Sequence, residues 1–225
     1  MAANERLAVP LSRLRWILWG TVLLLGVVAL VLSATLRSSE PSTTAVPVSD
    51  APAATWAAGE QRAPDFRLAD QNGVPVSLAA LHGRPVIVTF IDPLCRDYCP
   101  TEARRLNDVV NAFPAGERPA IVAVSVNVYG NAREHLLQDV RKWKLGPEWR
   151  WAVGTEAQLA RVWRDYDVQV LVSTKTVAGV KVHRIGHTEA AYIIDAHGDQ
   201  RALFLWPYSA EGVVKTLRAL RSASS

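Results

Sequence analysis

The chain has 225 residues, of which 49% are hydrophobic and 20% charged, with a formal net charge of +4 when His is neutral. This length and apolar content are enough for one globular domain with accessory segments. The charge pattern contains no dense basic face of the kind that nucleic-acid-binding proteins carry, so we exclude that class.

The N-terminal segment contains an uncharged apolar run at residues 16–36. About 20 such residues suffice for a helix that crosses a membrane. A cleavable signal peptide is the alternative, but its apolar core is normally about 7–15 residues long. Arg6, Arg13 and Arg15 precede the run, and the positive-inside rule then places residues 1–15 in the cytoplasm. We therefore predict a single-pass anchor in the cell membrane, with the following domain on the extracytoplasmic side.

The anchor is followed by a segment, residues 37–63, that is rich in Ser, Thr, Pro and Ala and lacks an apolar period. Such a composition is typical of a flexible linker. We predict that the folded domain covers residues 64–225. Its first element is a hairpin, because Asn72-Gly73 separates two short apolar runs.

The remaining pattern predicts alternating strands and helices. The continuous β-branched run at residues 86–91 is typical of a strand buried on both faces. The order predicts an α/β domain with a central mixed sheet flanked by helices. The other predicted elements are helices at 100–113, 132–143, 156–166 and 210–220, and strands at 120–126, within 168–182, at 190–194 and at 202–206.

The only two cysteines, Cys95 and Cys99, lie in the sequence Cys-Arg-Asp-Tyr-Cys-Pro directly after the first buried strand. A dithiol between such a strand and the next helix is the thioredoxin arrangement. Two thiols this close can bind a soft metal, cycle between dithiol and disulfide, or form a structural bridge. The structural bridge is the weakest hypothesis, because closing so short a loop constrains the unfolded chain very little.

The sequence around the second cysteine favours a thiolate. Pro100 disfavours helical geometry in the preceding residue, so we expect Cys99 at or near the helix cap and Pro100 at the first helical position. The unpaired amides of the helix start and the positive charge of Arg96 stabilise a deprotonated sulfur there. Three residues separate the cysteines, and that spacing still allows the Cα separation of about 4.4–6.8 Å that a disulfide needs.

Two thiolates are an incomplete site for most metals, so a third ligand has to come from elsewhere in the fold. We predict that His82, His135 and His197 are solvated surface residues. His187 precedes the late strand, in a loop that is predicted to face the dithiol, and it is the candidate third ligand. The alternative for His187 is a loop histidine that is bonded to a nearby carbonyl.

With these residues the sequence resembles the Sco/SenC family of membrane-anchored copper chaperones, over about residues 64–220 plus the anchor. The matching features are the C-x-x-x-C-P motif at 95–100 with its interior Asp97, and His187 eight residues before Asp195. The resemblance implies a thioredoxin-like Sco domain that binds Cu(I) or Cu(II) through Cys95, Cys99 and His187. It also implies a client, the copper subunit of cytochrome c oxidase, whose binuclear centre receives copper or has its cysteines reduced.

The chain departs from the family pattern at three places. Arg96 stands where many members have Pro, and residues 125–131 replace a segment that is usually Ser-Val-Asp-Pro-rich. Asp92, just before the motif, is either a weak oxygen ligand or a residue that caps the turn.

Other functions remain open at this point. An extracytoplasmic thiol–disulfide oxidoreductase needs only Cys95 and Cys99, as its redox-active catalytic pair, and no obligatory metal. An anchored scaffold with a structural bridge is a further alternative, whereas a peroxiredoxin-like peroxidase lacks its usual Thr/Ser-Pro context. We predict core packing for Trp143, Trp149, Trp151 and Trp163, with an exposed docking patch as the alternative.

Overall fold

The computed structural model describes residues 11–37 and 47–222, and the chain divides into two compact units between residues 46 and 47. The first unit contains helix α1 (Leu11–Arg37). Among the described residues, no helix combines the length and the hydropathy that a membrane crossing requires. The structure does not describe the side chains of residues 16–18, 20 and 34–36 of the predicted anchor. The predicted membrane anchor is therefore not confirmed.

The second unit is built on a mixed six-stranded sheet with the order β1-β10-β9-β4-β5-β6. The three strands β4, β5 and β6 are parallel, whereas β9 pairs antiparallel with β4. Strand β10 pairs antiparallel with β9, and the edge strand β1 pairs antiparallel with β10. The strands are β1 (Ala54–Thr55), β2 (Leu68–Ala69), β3 (Pro75–Val76), β4 (Val86–Ile91), β5 (Ala120–Ser125), β6 (Trp149–Ala152), β7 (Val170–Val177), β8 (Val180–His187), β9 (Ala190–Ile194) and β10 (Gln200–Leu205). The helices of this unit are α2 (Cys99–Asn111), α3 (Arg133–Lys142), α4 (Glu156–Asp165) and α5 (Ala210–Ser222).

The sheet is covered on both faces, which confirms the predicted α/β architecture. Alternate side chains of β4 enter different cores, as the two-residue period of a strand requires. Ile87 and Ile91 pack in the core that α2, α3 and α5 cover. Val88 and Phe90 pack in the opposite core, which is covered by α4 and the small β2–β3 hairpin. The first buried strand therefore lies between two layers, and its carboxyl end carries the cysteine motif.

The start of the folded unit differs from the prediction. Within the predicted linker, Ala54 of β1 pairs with Leu203 of β10, and the backbone N–H of Ser49 donates to the carbonyl of Pro207 over 2.9 Å. Ala63 is buried in the core. Residues 47–63 are thus part of the domain, because an edge strand held by backbone hydrogen bonds requires no apolar period.

Two further elements differ from the pattern-based prediction. Strand β6 was not predicted, and it contains Trp149 and Trp151, both almost fully buried. The late β-branched region forms one long hairpin, β7–β8, whose turn residues Ala178 and Gly179 have φ angles of 49° and 81°. Positive φ at both positions suits a two-residue hairpin turn. As a result, His187 is the last residue of β8 instead of a loop residue.

Candidate metal and thiol site

The loop between β4 and α2 is organised by Asp92. Its carboxylate Oδ1 accepts hydrogen bonds from the backbone N–H of Leu94 over 2.7 Å and from Nδ2 of Asn127 over 2.8 Å. The backbone N–H of Cys95 donates to the carbonyl of Asp92 over 3.0 Å. Asp92 therefore shapes the turn that presents Cys95, which is the capping role that the sequence left as one of two alternatives.

The two sulfurs lie at the start of α2, and both cysteines are free. Cys95 is half-buried in the preceding loop, whereas Cys99 is the first residue of the helix and is only 1% exposed. Tyr98 is the N-cap residue, so the helix begins one residue earlier than Pro100 suggested. The pair thus consists of one thiol that reaches the surface and one that lies behind it.

The electrostatics of the pair are asymmetric. A hydrogen bond from Cys99 lowers the pKa of Cys95 to about 6, with further help from the amides of residues 97–99 and against the opposing effect of burial. The hydrogen bond to Cys95 and burial raise the pKa of Cys99 well above its usual range. At neutral pH the accessible sulfur is therefore a thiolate that is ready to bind a soft cation or attack a disulfide, and the buried sulfur carries the proton.

Two carboxyl groups lie within electrostatic range of the pair and were not predicted. Glu102 is 1% exposed, and its Oε1 accepts hydrogen bonds from Thr89 over 2.6 Å and from Tyr208 over 2.8 Å. Burial raises the pKa of Glu102 to about 7. Burial, followed by the charge of Cys95, also raises the pKa of Glu189. The sequence did carry a signal for Glu102, because it shares a helix face with the apolar Leu106.

His187, the predicted third ligand, is half-buried at the end of β8. Its Nδ1 lies 3.1 Å from the carbonyl oxygen of Thr188, the contact expected from the alternative hypothesis. Burial lowers the pKa of His187, while the Thr188 carbonyl and the charge of Asp92 oppose that shift. The ring is therefore neutral at neutral pH, as a metal ligand must be. No cluster of three or more His, Cys, Asp or Glu side chains suited to a metal occurs in residues 11–37 and 47–222.

The structure thus brings Cys95 and Cys99 together but does not group His187 with them as a ready three-ligand site. Of the other histidines, His82, His135 and His197 are exposed, as predicted. His183, for which the sequence carried no prediction, is half-buried, and its ring stacks on Tyr129 with 3.8 Å between the centroids.

The tryptophans that cluster in the sequence are core residues. Trp143, Trp149 and Trp151 are at most 5% exposed, and Trp163 packs against the second core while its Nε1 donates to the carbonyl of Ser125 over 3.0 Å. The prediction of core packing is confirmed, and none of these four side chains forms an exposed docking patch.

The domain has a mixed sheet, and a reactive thiolate lies where a buried strand meets the next helix, next to a buried thiol. This arrangement defines a thioredoxin-like dithiol domain. The SCO1/SenC family model matches residues 55–222. The chain therefore belongs to the SCO1/SenC family, as its sequence suggested. No curated protein matches the chain significantly.

Solved structures of Sco proteins share the fold. A copper-bound ScoI from Bradyrhizobium japonicum is 22% identical, with a TM-score of 0.61, and the match covers 71% of this chain and 99% of that one. A copper-bound yeast Sco1 is 18% identical, with a TM-score of 0.63 and coverage of 72% and 90%.

A third structure, that of BsSco, is described as showing a disulfide switch in a member of the Sco family of cytochrome c oxidase assembly proteins. It is 16% identical, with a TM-score of 0.58 and coverage of 74% and 96%. At these identities the three likenesses establish the shared thioredoxin-like fold.

Proposed function

We propose that this protein binds copper as cargo and transfers it to the binuclear copper centre of cytochrome c oxidase, or reduces the cysteines of that centre. The observation that carries the proposal is the half-exposed Cys95 thiolate bonded to the start of α2 beside the buried Cys99. Membership of the SCO1/SenC family and the copper-bound relatives support copper as the cargo.

The chemistry of the sulfur pair suits copper. Thiolates are soft donors that select Cu(I), and imidazole suits both copper oxidation states. Cys95 is already deprotonated at neutral pH, whereas Cys99 has to release its proton when the metal binds, so binding is coupled to proton release. His187 as the third ligand follows from the family resemblance and is supported by the neutral state of its ring.

A titration of the reduced, metal-free protein with Cu(I) tests this proposal. We expect one copper per chain, loss of stoichiometric binding in Cys95→Ser and in Cys99→Ser, and an affinity at least about tenfold weaker in His187→Ala. His135→Ala is the matched control, because His135 is an exposed histidine elsewhere in the domain. Absence of stoichiometric binding to the wild type would exclude the copper function, and an unchanged affinity in His187→Ala would exclude that residue as a ligand.

A second function, thiol–disulfide exchange without an obligatory metal, is favoured by the asymmetry of the two thiols. A reactive outer thiolate and a protonated inner thiol suit attack followed by resolution. The test is reduction of the oxidised copper-binding domain of the oxidase subunit by the metal-free protein. Activity that persists in His187→Ala and disappears in Cys95→Ser supports this function, and complete inertness of the wild type contradicts it.

We also propose that residues 16–36 anchor the protein in the cell membrane with the domain on the extracytoplasmic side. The support is the uncharged apolar run preceded by Arg6, Arg13 and Arg15. Fractionation of cells followed by protease treatment of intact spheroplasts tests this location. We expect the full-length chain in the membrane fraction and digestion of its domain from outside, whereas a protected or freely released domain would refute it.

A further inference from the structure

The residue that follows Cys95 forms a bridge across the site loop. Nη1 of Arg96 donates to the carbonyl of Pro93 over 3.0 Å and to the carbonyl of Cys95 over 2.9 Å. A single guanidinium nitrogen therefore links two carbonyls of the loop that carries the reactive thiol. The Arg96 side chain is 49% exposed, so its other half packs against the protein.

The guanidinium lies against a buried carboxylate from another element. Oδ2 of Asp139, on α3, is 3.6 Å from Nη1 of Arg96, and the side chain of Asp139 is only 2% exposed. Within the described part of the chain, this Oδ2 accepts no hydrogen bond. Burial raises the pKa of Asp139, and Arg96 opposes that shift more strongly than Lys142 and His135 of the same helix. Arg96 is thus the principal counter-charge of a carboxylate that is otherwise costly to bury.

We propose that Arg96 and Asp139 form a positioning pair for Cys95. Asp139 holds the guanidinium from the side of α3, and the guanidinium holds the carbonyls of Pro93 and Cys95. The fixed backbone keeps Sγ of Cys95 3.4 Å from the backbone N of Cys99, where it accepts a hydrogen bond. This inference deepens the proposed function. It rests on that function in one respect, namely that Cys95 is the attacking thiol.

Exchange with oxidised glutathione measures this positioning without copper. The Cys95 thiolate attacks one sulfur of the disulfide, which breaks the S–S bond and releases one glutathione thiolate. Cys99 then loses its proton and attacks Sγ of Cys95, expelling the second glutathione thiolate. The two released glutathione thiolates are protonated to an extent set by their pKa. In total, two electrons pass from the protein dithiol to the glutathione disulfide, so the protein ends as a disulfide and glutathione as two thiols.

The experiment compares the first-step rate and the glutathione redox equilibrium of the reduced, metal-free full-length chain with those of its variants. We expect Arg96→Ala, which removes a charged hydrogen-bond donor, and Asp139→Asn, which removes the counter-charge of that donor, each to slow the first step about tenfold. The double variant should be no slower than either single variant, because the two residues act through one another. Arg96→Lys should recover part of the rate, since it keeps the charge but not the planar fork.

Arg104→Ala is the matched control, because Arg104 is an exposed arginine on α2 that bonds only Thr101 among the described residues. Wild-type rates in both Arg96→Ala and Asp139→Asn, or effects of the two that multiply in the double variant, would overturn the proposal. If Arg96→Ala does not fold, Arg96→Lys and Asp139→Asn decide, and wild-type rates in both overturn it. A separate Cu(I) titration of the wild type shows whether the copper function has failed independently.

Discussion

The backbone N–H of Cys99 donates a hydrogen bond to Sγ of Cys95 over 3.4 Å. This contact places the accessible sulfur at the N-terminus of α2, where the unpaired amides carry partial positive charge. A thiolate gains more from such donors than a neutral thiol does, so this contact adds to the larger effect of the hydrogen bond from the Cys99 side chain in lowering the pKa of Cys95. The hydrogen bond between the two sulfurs, which lowers the pKa of Cys95 and raises that of Cys99, gives different roles to two cysteines that look alike in the sequence.

The first prediction concerns the reactivity of Cys95 in the metal-free protein. Because the thiolate is the nucleophile and the pKa of Cys95 is about 6, its alkylation by iodoacetamide should rise with pH and level off above about pH 7. In Cys99→Ala the midpoint should move upward, because the side-chain donor that contributes most to the low pKa of Cys95 is lost. The measurement is the alkylation rate between pH 4 and pH 9, followed by mass spectrometry. A wild-type midpoint near that of a free cysteine contradicts the prediction.

The second prediction concerns Glu102 and stability. The pKa of this carboxyl is raised from 4.5 to about 7 in the folded state, so the native protein binds the proton more tightly than the unfolded chain. Stability that is present below pH 4.5 is therefore lost as the pH rises to about 7, by up to about 3 kcal/mol. In Glu102→Gln this loss should disappear, because the amide does not titrate. Urea unfolding at pH 4.5, 6 and 7.5 compares the two proteins, and parallel pH dependences would refute the assignment.

The third prediction tests how residues 47–55 are attached to the domain. A Cβ atom added to Gly212 would lie 2.2 Å from the backbone oxygen of Asp50, a distance that requires the chain to move. We expect Gly212→Ala to detach this segment from α5 and to expose it to proteolysis. Limited digestion with mass mapping is the measurement, and Gly116→Ala is the control because a Cβ there meets nothing within 4 Å. If both variants are cleaved equally within residues 47–55, the close packing of Asp50 against Gly212 is contradicted.

The fourth prediction concerns the packing behind the site loop. A Cβ atom on Gly130 would lie 2.9 Å from Cγ of Leu94 and 3.0 Å from Cβ of Pro93. Gly130→Ala should therefore destabilise the domain by about 1–3 kcal/mol, the usual cost of overpacking. It should also alter the reactivity of Cys95, since Pro93 and Leu94 lead directly into that residue. Denaturant unfolding measures the stability, and the alkylation assay measures the reactivity of Cys95. Wild-type values in both measurements would contradict the prediction.

The predictions from sequence succeeded where structure depends on near neighbours. The continuous run of β4, the helix start marked by Pro100 and the hairpin at Asn72-Gly73 all appear within a few residues of their predicted positions. The motif of the two cysteines also identified the family, which the match over residues 55–222 confirms. Strand β6 was missed because it is only four residues long, Trp-Arg-Trp-Ala, which is too short for its apolar and polar residues to establish a period.

By itself, the sequence determined the order of strands and helices and the place of the dithiol, because dihedral preferences and apolar periods act over a few residues. Only the tertiary structure decided which side chains surround the sulfurs. Burial in a low-dielectric interior depends on distant segments of the chain. It raises the pKa of Glu102, and it makes the charge of Asp139 costly unless the guanidinium of Arg96 lies beside it. The difference between the two cysteines is likewise a product of packing, because one sulfur lies under the sheet and helices while the other reaches the surface.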